Sequence, residues 1–259
     1  MSADITCAES LRALKLPAAF SEFSRQLSDP SYYSLSFSER LQMILSAQID
    51  LQTQRRIARR IKEAELKINA NPEEIDYSRS RGINQAQMAE IMSLGFLRRH
   101  QGVLVSGATG VGKTFLICSI GTAAAIMDYR VRYYRLSVLL EEVAIARGDG
   151  SYKHLASRLR SKDLLIIDDF GLAPIPSRGS RELLDLLDDR VGVTSTIIAS
   201  QLPMADTYRS FEDPTVADAI LDRIVHSSIT LELKGDSMRK RLAEQSTGSR
   251  RTMEEISPL

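Results

Sequence analysis

Apolar positions follow two different rhythms along the 259 residues. Over the first seventy they recur at helical spacing, with no alternation of the strand kind. Leu11, Leu14 and Leu16, then Phe20 and Phe23, predict an amphipathic helix broken near Pro17. Leu41, Ile44, Leu45, Gln48 and Leu51 predict another, starting at Ser38-Glu39-Arg40-Leu41 and running to Ala70. Asn71-Pro72 ends it, because a residue before proline is pushed out of the helical region, and the polar stretch that follows reads as a linker. From residue 86 the rhythm changes to short apolar runs separated by helical segments. Val103-Leu104-Val105-Ser106, Val131-Arg132-Tyr133-Tyr134, Leu164-Leu165-Ile166-Ile167, Thr196-Ile197-Ile198-Ala199-Ser200-Gln201 and Ile229-Thr230-Leu231-Glu232-Leu233 predict the strands of a buried parallel sheet. Two helical segments, 137–147 and 152–160, separate the second and third runs, where one crossover helix suffices. The expected fold class is α/β, a domain with a central parallel sheet preceded by a small all-helical N-terminal domain. Its boundaries are 1–70 for the helical domain, 71–85 for the linker, 86–243 for the sheet domain and 244–259 for a polar tail expected to be disordered.

Composition narrows the partners. Lys and Arg number 34 against 33 Asp and Glu, so the net charge of +1 gives no global field for nucleic acid, and any such surface is local. Two cysteines, Cys7 and Cys118, make neither a disulfide framework nor a metal cluster. No apolar run approaches bilayer length, and Met1-Ser2-Ala3-Asp4 lacks the basic and apolar blocks of a signal peptide. A soluble cytoplasmic protein with no membrane partner is expected.

Chemistry enters at Gly107-Ala108-Thr109-Gly110-Val111-Gly112-Lys113-Thr114, which fits G-x-x-x-x-G-K-[ST] between a predicted strand and the helix that begins at Phe115. Glycines let the backbone wrap a phosphate, the helix N-terminus offers free amides, Lys113 neutralises the outer phosphates and Thr114 can ligate Mg²⁺. A random chain of this length carries the pattern with a probability on the order of 1%. ATP and Mg²⁺ are the implied ligands. A P-loop alone leaves the metal half coordinated, and Asp168-Asp169, at the tip of the third strand, supplies the missing carboxylates. Asp168 is read as the metal partner. Asp169 is read as the group that polarises the attacking water, the alternative being a cap for the turn into Phe170-Gly171. Ser200 or Gln201, ending the fourth strand, is placed to contact the γ-phosphate or that water. Arg223, near the end of the last helix, is suited to a neighbouring subunit's γ-phosphate, or else to a salt bridge with Asp218 or Asp222.

Two basic groups remain. Arg55, Arg59 and Lys62 share one helix face flanked by Arg56 and Arg60, a stripe able to track a phosphate backbone or simply to meet solvent beside Glu63 and Glu65. Lys153, His154, Arg158 and Arg160 mark the extra crossover segment as an insertion facing nucleic acid or as ordinary polar decoration.

The series GATGVGKT, LLIIDDFG, TIIASQLP, DAILDRIVH and LKGDSMRK, in that order, resembles the IstB family, the AAA+ ATPase helpers of insertion-sequence transposases. LRALKLPAAF, LSFSERLQMIL, RRIARRIKEAEL and IDYSRSRGI resemble the helical extension of the same family, so the likeness runs to about Leu242. It is similar also to the DnaC/DnaI helicase loaders, although ASQLP and the linker favour IstB. Phe115, Phe170 and Tyr208 depart from the residues common at those positions, which touches packing more than chemistry. The resemblance implies a P-loop AAA+ domain that binds ATP, assembles as a homo-oligomer on duplex DNA, remodels it and recruits or activates a transposase; a helicase loader is the alternative. It implies that Arg223 is a trans-acting arginine finger, that Ser200 and Gln201 form the sensor-1 region, and that Arg239 is a sensor-2-like arginine. Only about 26 residues follow the last predicted strand, which is short for the lid that usually presents such an arginine. It also favours DNA contacts by Arg55, Arg56, Arg59, Arg60 and Lys62, and by Lys153, Arg158 and Arg160.

Overall fold

The computed structural model describes residues 3–75, 82–226 and 228–235, which divide into two compact units, Met1–Arg59 and Arg60–Leu259. In the first, α1 (Ala3–Ala13) and α2 (Pro17–Ser28) are separate helices, joined through Lys15 in the left-handed region. Pro17 opens α2 at a position where its missing N–H costs nothing. The free amides of Ala18 and Ala19 donate to Gln48 Oε1 at 3.1 and 3.3 Å, so a distant glutamine caps a helix whose Leu16 cannot. Gln48, placed by periodicity among apolar positions, is buried for this reason.

The long helix α3 covers Phe37–Ala64. It begins one residue earlier than the expected Ser38, because Ser36 and Glu39 form a reciprocal cap: Ser36 N donates to Glu39 Oε2 at 2.8 Å and Glu39 N to Ser36 Oγ at 3.3 Å. It ends at Ala64 and not at Ala70, where Glu65 turns left-handed with φ +46°.

The second unit is built on β1 (Gly102–Gly107), β2 (Val131–Arg135), β3 (Leu164–Phe170), β4 (Ser195–Ser200) and β5 (Ser228–Leu233). All pairings among these strands are parallel, in the order β2-β3-β4-β1-β5. Strand periodicity divides the core between the two faces. Val103, Val105, Leu164, Ile166, Ile197 and Ala199 pack on one side with α4 (Gln85–Met92) and α6 (Lys113–Ile126). Leu104, Leu165, Ile167 and Ile198 pack on the other with α7 (Leu136–Asp149), α8 (Tyr152–Arg160), α9 (Ser177–Asp188) and α11 (Pro214–His226). The short helices α5 (Gly95–Arg98) and α10 (Met204–Thr207) complete the unit, and a cavity of ≈ 580 Å³ opens beside α10 and α11, lined by Leu104, Met204, Leu221, Val225 and Thr230. The expected two-helix crossover between β2 and β3 is present as α7 and α8. No helix among the described residues is long and apolar enough to cross a membrane.

Candidate nucleotide-binding site

β1 is buried along its middle and ends at Gly107, whose φ of +149° few side chains adopt; a Cβ there would stand 2.4 Å from the Leu233 carbonyl oxygen of β5. Gly110 and Gly112, at φ +86° and +97°, bend the chain back into α6. No side chain caps α6 at Gly112, so its first amides are left for a ligand, with the dipole favouring an anion. Val111 is buried in the core beneath the loop, and Phe115, one turn on, packs partly against the same core.

Lys113 is almost fully buried, and its ammonium donates to the carbonyls of Gly107 (2.6 Å) and Ala108 (2.9 Å). Burial pushes its pKa down, and the carboxylates of Asp168 and Asp169 push it back up. The side chain thus folds over the loop it would share with a phosphate.

Asp168, 1% exposed at the end of β3, accepts from Thr114 Oγ1 (2.8 Å) and Tyr133 Oη (2.9 Å) on the same oxygen, while its other oxygen accepts the Asp169 amide at 2.9 Å. Burial, then the adjacent Asp168 charge, raises the Tyr133 pKa, which keeps that phenol a donor. A hydroxyl and a carboxylate meeting at one point suit a hard divalent cation that takes one or two protein oxygens and completes its shell with phosphate and water. No group of three or more His, Cys, Asp or Glu side chains placed to hold a metal occurs among the described residues.

Asp169 occupies the left-handed region at φ +57°, where the pairing of β3 with β4 shifts register between Ile167 and Phe170. The bulge breaks the alternation of the strand and turns this second carboxylate, 29% exposed, away from the buried direction of the first. Lys67 lies beside both acids, its ammonium 4.0 Å from Asp168 Oδ2 and 3.9 Å from Asp169 Oδ2. From the neighbouring strand end, Gln201 Oε1 accepts from Thr109 Oγ1 at 2.6 Å, bringing β4 onto the P-loop. Ser200 is buried and its hydroxyl accepts from Leu202 N at 3.1 Å, so of the two candidates only Gln201 is seen reaching the loop.

The structure thus gathers Gly107 to Thr114, Asp168, Asp169 and Gln201. It does not gather Arg223. That residue lies with Gly102 and Ser228, the opening residues of β1 and β5, at the opposite end of the strands from Gly107. It is paired with Asp188 of α9, with the Asp222 charge also acting on it, and donates to the Ala219 carbonyl at 2.8 Å. The Asp188 hydrogen bond, more than any other influence, holds its pKa up.

Of the basic groups, Arg55, Arg56, Arg59 and Lys62 are exposed on α3, whereas Arg60 is engaged with Asp128 (2.8 Å) and Glu63. On α8, Lys153 is exposed, Arg158 pairs with Glu142 and Arg160 with Asp189. Arg239 and the tail lie outside the described residues. Lys67 and Tyr133 had no signal of their own: Lys67 falls within the helix expected to run to Ala70, with nothing to set it apart, and Tyr133 is one of several inward strand positions until β2 pairs with β3.

Comparison with known proteins gives a consistent picture. The family of the IstB-like ATP binding protein matches residues 6–246. A "Putative insertion sequence ATP-binding protein" of Sinorhizobium fredii is 36% identical over 232 residues, covering 90% of this chain and 95% of the relative. Among solved structures, the DnaC helicase loader superposes with a TM-score of 0.52 at 17% identity, over 64% of this chain and 97% of that one. AMPPCP-bound DnaA from Aquifex aeolicus gives 0.56 at 19% identity, over 70% and 56%. These last two establish a shared fold.

Proposed function

The chain belongs to the family of IstB-like ATP-binding proteins, with the AAA+ ATPase fold, and from that premise we propose that ATP switches its assembly on duplex DNA, where it recruits or activates a transposase. The observation that carries this reading is the separation of Arg223 from the other site residues. β1 alone spans roughly 16 Å, so Arg223 has no route to its own P-loop, whereas a head-to-tail neighbour would bring one subunit's arginine to another's nucleotide. Hydrolysis would then require assembly. That its relatives are named as ATP-binding proteins of insertion sequences supports transposition as the setting.

Within one subunit, the P-loop amides and Lys113 would hold the β- and γ-phosphates, and Thr114 with Asp168 would hold Mg²⁺. The metal, when bound, neutralises charge that develops on the phosphate oxygens. Asp169, turned out by the bulge, accepts a proton from the attacking water or orients it, and Gln201 fixes the far side of the loop. Arg223 of the next subunit, freed from Asp188, presents a planar five-donor fork to the spreading charge. DNA contacts fall to Arg55, Arg56, Arg59 and Lys62 on α3, with Lys153 from α8. Arg60, Arg158 and Arg160 contribute only once their present carboxylate partners release them. A near-neutral chain holding DNA through such patches gains affinity by repeating them along an oligomer.

Binding of labelled duplex and single-stranded DNA, with and without a non-hydrolysable ATP analogue, tests the reading. Large complexes should form on duplex only with nucleotide, and replacing Arg55, Arg59 and Lys62 together should weaken them and flatten the salt dependence by about three phosphate contacts. A preference for single strands would favour a helicase loader, and an unchanged salt slope would return the stripe to solvent.

A further inference from the structure

The approach of Lys67 to the acid pair is held by the segment on either side of it. Ala64 and Ala70 are fully buried, Leu66 packs against the same core, and Glu65 is ion-paired with Arg132 of β2. Gly121 of α6 provides the slot for Leu66: a Cβ there would stand 2.9 Å from a Leu66 methyl. Deeper on α6, the buried Cys118 thiol faces the backbone of Lys67 and Ile68. Residues 64–70 are thereby laid along α6 with one ammonium aimed at the end of β3, only 37% exposed and shared almost equally by two carboxylates. Packing of the flanking residues sets where this long side chain starts, while its ammonium end stays exposed.

Lys113, which also feels the charge of both acids, is turned onto the P-loop carbonyls, whereas Lys67 is ion-paired with Asp168 and Asp169 together. Two carboxylates with adjacent backbone positions repel each other unless a positive charge lies between them. We infer that Lys67 is a resident counter-cation that balances Asp168 and Asp169 and that Asp168 must give up before it can serve a divalent metal. This rests on the reading of Thr114 and Asp168 as the metal pair. Lys67 competes with the metal for the same oxygen, Asp168 Oδ2.

The test is a MgCl₂ titration of the full-length protein with a fluorescent ATP analogue, comparing wild type, Lys67→Met and Lys67→Arg, with analogue affinity also measured in EDTA. Removing a partly exposed charge at this distance should lower the Mg²⁺ concentration for half-saturation about five-fold in Lys67→Met. Lys67→Arg, which keeps the charge, should titrate like wild type, and affinity in EDTA should be unchanged in both. An unaltered or raised Mg²⁺ requirement in Lys67→Met, against a wild type that needs Mg²⁺, would overturn this inference alone. A loss of affinity in EDTA would also overturn it, by assigning Lys67 to the phosphates. A wild type indifferent to Mg²⁺ would remove the metal pair and this inference with it.

Discussion

At the scale of single residues, the site depends on backbone that few side chains can occupy. Gly107→Ala would drive a Cβ into the Leu233 carbonyl, a backbone atom that cannot turn aside. The expected cost is about 2–3 kcal/mol of stability, read from denaturant unfolding. Gly148→Ala in α7, where a Cβ meets nothing within 4 Å, should be neutral or slightly stabilising in the same assay. Lys113→Ala should abolish ATP binding by calorimetry while the protein stays folded; retained affinity would remove the P-loop assignment. These residues were legible in the sequence because fixed spacing alone defines the motif and its strand-to-helix setting. Asp169 was legible as a carboxylate but not as a left-handed residue, since the bulge arises from the pairing of β3 with β4. Lys67 and Tyr133 were not legible at all, because what matters about them is which strand end they reach.

At the scale of elements, short parallel strands and the helices between them follow from apolar runs and periodicity, and these runs matched the strands closely. The ends of helices were less readable. α2 is capped by Gln48 from thirty positions away, and α3 starts on the Ser36–Glu39 cap one residue ahead of the periodic signal. Arg190, two residues beyond the end of α9, is 1% exposed and joins that helix end to α8 and β4. It donates to Leu159 O (2.7 Å), Lys162 O (3.1 Å), Ser195 O (2.6 Å) and Thr196 Oγ1 (3.1 Å), tying the end of α8 to the start of β4. Burial lowers its pKa to about 10, a desolvation met by neutral oxygens with Asp163 as the supporting charge. Arg190→Ala leaves those carbonyls unpaired around a void, so a loss of about 4 kcal/mol is expected in denaturant unfolding. Arg190→Lys should recover less than half of it, because a compact ammonium cannot span four acceptors. A loss below about 1 kcal/mol in Arg190→Ala would show that water replaces the guanidinium.

At the scale of the whole molecule, a parallel sheet preceded by a helical region is readable from sequence, but the distance between Arg223 and the P-loop is not. Strand order decides it: β1 lies between β4 and β5, with Gly107 at one end and Gly102, near Arg223, at the other. A chain that carries a complete P-loop and a distant arginine fits a site finished by a second copy. On the proposed reading, the nucleotide would report on assembly, and the stripe on α3 would be the surface that assembly multiplies. The most direct test mixes two variants, Arg223→Ala and Asp169→Asn, each retaining nucleotide affinity but inactive alone, in the presence of duplex DNA. Equal mixing should restore about a quarter of wild-type phosphate release, the share of head-to-tail contacts that pair an intact arginine with an intact carboxylate. Two inactive variants that stay inactive when mixed, while still assembling on DNA, would contradict a site shared between subunits.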